Sequence, residues 1–136
     1  MTTGTWDPSS PSENSTSYTL DIEFLKKIIK TVGNNTEIEV SSYLTADEQK
    51  THSPVMRLSK ATWFTIKESL SNDDIITLIK FFTLAEMQLS DWSGEEHSPV
   101  IWLTKILKQK GGSINKDLLL WIKSKNDNKF LPYGAL

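Results

Sequence analysis

At 136 residues, with 38% hydrophobic and 24% charged positions, the chain fits one domain able to bury a core without covalent staples. It has no cysteine, which excludes disulfides and thiolate metal sites and fits a reducing, cytoplasmic setting. The net charge of −2 argues against a general nucleic-acid binder, and no apolar run approaches the roughly eighteen residues of a membrane span.

Residues 1–17 are rich in Ser, Thr, Pro and Asn and are expected to form a flexible tail, with neither the basic start nor the apolar run of a secretory signal. Trp6 is the exception there and is expected to pack on the domain. Residues 18–136 then form a single all-helical domain. Residues 20–32 carry Ile22, Leu25, Ile29 and Val32 at helical spacing, with acidic residues leading, basic residues trailing and Gly33 as a stop. Ile38 and Val40 alternate with Glu37 and Glu39 like a strand. No partner strand is in sight, so the segment reads as an extended connection. Thr45 and Glu48 have the spacing of a capping box.

Two segments then match at an offset of 45. Residues 44–60 read LTADEQKTHSPVMRLSK and residues 89–105 read LSDWSGEEHSPVIWLTK, with seven of seventeen positions identical. The shared His-Ser-Pro-Val reads as a helix start, with Ser53 and Ser98 as caps and Pro54 and Pro99 in the first turn. His52 and His97 then belong to helix entry rather than to a metal site. No cofactor is expected either. Each copy is expected to be a helical hairpin, spanning residues 44–88 and 89–125. The result is a compact all-α bundle of four to six helices. Residues 74–88 are apolar nearly all round and should form the central helix. Glu86 lies on its narrow polar stripe, as a rim glutamate or, if buried, a group of interest.

Seven lysines face two aspartates between Lys105 and Lys129, a local charge of +5 that leaves −7 for the rest. Lys105, Lys108, Lys110 and Lys123 could form a basic patch, but Arg57 is the single arginine, which weakens a phosphate-reading role. The residues that break the duplication, Arg57, Trp63 and Trp92, join Phe130 and Tyr133 of the 126–136 tail as candidate contact residues. Trp92 is expected to be exposed. The leading expectation is a non-enzymatic protein-interaction module that binds another protein or itself. A lysine-mediated nucleic-acid binder and a small-molecule or enzymatic bundle using Glu86 and His97 are the alternatives.

Overall fold

The computed structural model describes residues 18–33 and 38–134; the expectations for residues 1–17, with Trp6, lie outside them. The described residues form six α-helices and no strand. These are α1 (Ile22–Val32), α2 (Ala46–His52), α3 (Lys60–Phe64), α4 (Asn72–Gln88), α5 (Pro99–Gln109) and α6 (Lys116–Lys125), with short 3-10 turns between them.

The helix ends follow local chemistry. Asp21 caps α1 by accepting from the N–H groups of Glu23 and Phe24, and α1 stops at Gly33, whose φ of 58° suits glycine. Thr45 and Glu48 form the capping box of α2, and Ser71 and Asp74 form another at α4. At the end of α5, Gly111 adopts φ 86° and Gly112 donates to the Leu107 carbonyl, which closes the helix before the turn into α6.

α4 is the axis of the fold. Ile75, Leu78, Ile79, Phe81, Phe82 and Ala85 are fully buried on it, and it packs against α1, α5 and α6. Each of its larger apolar side chains contributes on the order of 1.5–3 kcal/mol by leaving water. α1 lays Phe24, Leu25, Ile28 and Val32 on this core. The extended segment before the 3-10 turn at Val40–Ser42 is satisfied by one side chain. Gln88 Nε2 donates to the Ile38 carbonyl at 2.7 Å, and its Oε1 accepts from the Val40 N–H at 2.7 Å.

The layout of the two matched segments differs from the expected pair of hairpins. α5 and α6 both pack chiefly on α4, and α3 packs on α5, so helices of the two expected hairpins pair across them. The first matched segment is also broken. A 3-10 turn runs over Ser53–Arg57, and Ser59 then caps the short α3 by accepting from the Thr62 N–H. Ser53 caps nothing; its hydroxyl donates back to the Lys50 carbonyl because α2 runs directly into it. Ser98 does cap, accepting from the Val100 N–H at 3.2 Å, with Pro99 opening α5.

Candidate functional site

The aromatic candidates divide by burial. Trp92 is 1% exposed and Trp63 is 0% exposed, so the expectation of an accessible Trp92 does not hold. The Trp92 ring sits against Phe81 and Phe82, and its Nε1 donates to the Gln49 carbonyl, which fixes the 89–98 loop on α2. The loop looks polar in sequence, yet it folds over α4 because this one ring belongs in the core. Trp63 stands edge-on to Phe82 in the core and its Nε1 has no partner. Among the described residues, the large apolar side chains that are exposed are Met87 at 50%, Leu120 at 56% and Tyr133 at 49%.

Glu86 is a junction. Its Oε1 accepts from the Gly94 N–H at 3.2 Å and from Asn128 Nδ2 at 3.2 Å, and its Oε2 accepts from the Ser98 hydroxyl. Burial pushes its carboxyl above the usual carboxylate range, and the hydrogen bonds from Ser98, Gly94 and Asn128 pull the other way. One carboxylate therefore ties together α4, the 89–98 loop, the start of α5 and the C-terminal segment. Gly94 has to be glycine here, since a Cβ would lie 2.7 Å from the Ser98 Cα and 3.1 Å from the Met56 carbonyl oxygen. Glu95 follows with φ 49°, a left-handed conformation that costs a non-glycine residue about 1 kcal/mol. Its carbonyl accepts a second bond from Asn128 Nδ2 at 3.0 Å.

The C-terminal segment is held by asparagines. Buried Asn126 donates to the Thr83 carbonyl at 2.8 Å, and Asn128 uses its Oδ1 to accept from the Phe130 N–H at 3.0 Å. Leu131 and Pro132 are buried, and the turn ends with Tyr133 projecting outward.

Three surface concavities gather the sequence candidates. A cleft of about 470 Å3 includes Glu86, Glu95, Glu96, Asp127, Met87 and Phe130 in its lining. Lys129 also borders it, with its ammonium 5.5 Å from the Phe130 ring centre. A groove of about 350 Å3 is lined by Tyr133, Ile114, Thr104, Ser113, Lys105 and Lys108, with no acidic residue among the described residues of its lining. A smaller hollow of about 250 Å3 brings Arg57 and His97 beside Glu95 and Glu96. The expected basic patch is thus divided. Lys105 and Lys108 stand together, whereas Lys110 Nζ donates to the Lys67 carbonyl at 3.1 Å and Lys123 lies exposed on α6.

The two histidines also part. His52 stacks on Phe24 with ring centres 3.7 Å apart, and its Nδ1 lies 2.8 Å from the Tyr18 hydroxyl. Burial lowers the His52 pKa, so its neutral ring suits the role of acceptor. Burial, with Asp21 nearby, pushes the Tyr18 hydroxyl up to about 12, which keeps it the donor. His97 is exposed.

Sequence reasoning did not single out Asn126, Asn128, Met87 or Ile114. The Asn-Asp-Asn run at 126–128 was the available signal, because asparagine at a helix end folds its side chain onto local backbone groups. Among the described residues, no group of three or more His, Asp or Glu side chains could hold a metal ion. No helix of the described residues is long and apolar enough to cross a membrane. No protein-family model, curated protein or solved structure matches the chain.

Proposed function

We propose that this chain is a non-enzymatic protein-interaction module whose docking face is the Tyr133 groove, and that its partner there is an acidic protein segment. The observation that carries this reading is the half-exposed Tyr133 ring beside Lys105 and Lys108 in a groove with no acid among the described residues of its lining. An amphipathic aromatic with two neighbouring cations offers an apolar anchor and a charge filter at the same place. Ile114 supplies apolar floor, and Thr104 and Ser113 supply short polar side chains at the rim. Lysine meets an anionic oxygen as a point charge, without the two-pronged fork by which arginine reads carboxylate or phosphate.

Glu86 supports an enzymatic reading less well. Its two oxygens are engaged by Gly94, Ser98 and Asn128, which is the pattern of a structural tie. The matched segments read as a duplication whose copies have diverged in use, and the cysteine-free composition suits a cytoplasmic site of action.

Anisotropy titration of a fluorescein-labelled, glutamate-rich peptide with one central leucine tests the proposal. Binding should weaken with added salt and be lost in Lys105→Ala/Lys108→Ala and in Tyr133→Ala, with unchanged folding by circular dichroism. Absence of peptide binding, or tight binding of a labelled oligothymidine in its place, overturns it.

A further inference from the structure

We infer that the acidic partner of the Tyr133 groove is the acidic cleft of a second copy of this chain. This rests on the reading of the groove given above and names its occupant.

Charge and apolar exposure are the grounds. The groove offers Lys105 and Lys108 around Tyr133. The cleft offers Glu95, Glu96 and Asp127 around exposed Met87 and partly buried Phe130, with Lys129 as its one cation among the described residues. Of the three large apolar side chains exposed among the described residues, one lies at each of these two surfaces, Tyr133 at the groove and Met87 at the cleft. Each surface therefore has what the other lacks: carboxylates against ammonium groups, and a flexible thioether against an aromatic ring. Glu86 itself is taken up by its intramolecular bonds, so Glu95, Glu96 and Asp127 are the groups left to face a partner.

Position along the chain favours a closed pair. Phe130 borders the cleft and Tyr133 the groove, so three residues, at most about 11 Å of backbone, separate the two surfaces. That span is shortened by the turn in which the Gly134 N–H donates to the Phe130 carbonyl at 2.6 Å. In the proposed pair a two-fold axis passes near this segment, and each copy places its cleft on the other's groove. The contact then closes as a dimer instead of propagating as a chain.

Sedimentation velocity over a micromolar-to-millimolar series of the full chain reads this directly. The wild type should pass from monomer to dimer, with no larger species, and added salt should weaken the pairing. Lys105→Glu/Lys108→Glu and, separately, Glu96→Lys/Asp127→Lys should each raise the dimer dissociation constant by about tenfold or more. Mixing the two reversed chains should restore dimer, because every contact again joins opposite charges. Tyr133→Ser gives the same loss without a charge change. A wild type that stays monomeric, reversed chains that pair as well as wild type, or a mixture that stays apart each overturns the inference. If the monomeric wild type still takes the glutamate-rich peptide, the second copy is the wrong occupant and the groove reading stands. If it takes neither, both fall.

Discussion

His-Ser-Pro-Val occurs twice in this chain and folds in two ways. At 52–55 it continues a helix into a 3-10 turn, and at 97–100 it begins one. The cause lies upstream of the motif. Residues 46–52 form a helix with its own capping box, so Ser53 arrives with the backbone already turned and bonds back to Lys50. Residues 91–97 hold Gly94 against Met56, bury Trp92 and end in a 3-10 turn over Glu95–His97, after which Ser98 leaves the helical region with ψ 137° and its hydroxyl is free to cap. The histidines diverge with them, His52 into a stack with Phe24 and His97 into solvent. A capping sequence therefore permits a helix start, and the preceding segment decides whether it is used.

The largest effect should come from removing what anchors the segment before Ser98. Trp92→Ala empties a fully buried site between Phe81 and Phe82 and should cost about 3–5 kcal/mol in urea unfolding. Asp47→Ala, the matched position in the first copy and exposed, should stay within about 0.5 kcal/mol. Equal losses at the two positions would remove the distinction.

Ser98→Ala deletes both a cap and a donor to Glu86 and should cost about 1–3 kcal/mol, whereas Ser53→Ala should stay within about 0.5 kcal/mol. A larger loss at Ser53 would mean that the first copy also depends on its cap.

Smaller effects should appear as pH slopes. The folded-state pKa of His52 lies below the ordinary 6.5, so its contribution is present above that value and is lost as pH falls through the folded pKa. Unfolding midpoints of wild type and His52→Gln should converge on acidification; parallel profiles would show that His52 does not titrate in the stack. Glu86 has the opposite sign. Its folded pKa lies above the ordinary 4.5, so its contribution is present at low pH and is lost as pH rises through the folded value. Glu86→Gln, whose amide can still accept from Gly94 and donate to Ser98, should lack that slope. Parallel wild-type and variant profiles would remove Glu86 as its source.

Much of this architecture was written locally. Asp21, Gly33, Thr45 with Glu48 and the apolar run of α4 each specify an element through neighbours a few residues away, and each is where the sequence places it. The failures are places where a distant group chooses between two local options. Ser59 and Thr104 occupy matched positions and both can bond backbone. Ser59 opens α3, while the Thr104 hydroxyl donates to the Val100 carbonyl and stays within α5. Trp92 looked exposed because its neighbours are polar, and its acceptor on Gln49 is 43 residues away. The polar stripe bearing Glu86 was visible in the sequence, but its donors come from a loop and a tail that periodicity does not describe.

The Gln88 side chain has a consequence of another kind. Its carboxamide pairs with Ile38 and Val40 as a neighbouring strand's peptide group would, so the extended segment is stoppered along that edge. An open edge flanked by Ile38 and Val40 is the sort of template on which chains aggregate, and here a single amide occupies it. Replacing Gln88 by glutamate, which keeps the acceptor and loses the donor, would leave that edge half uncovered.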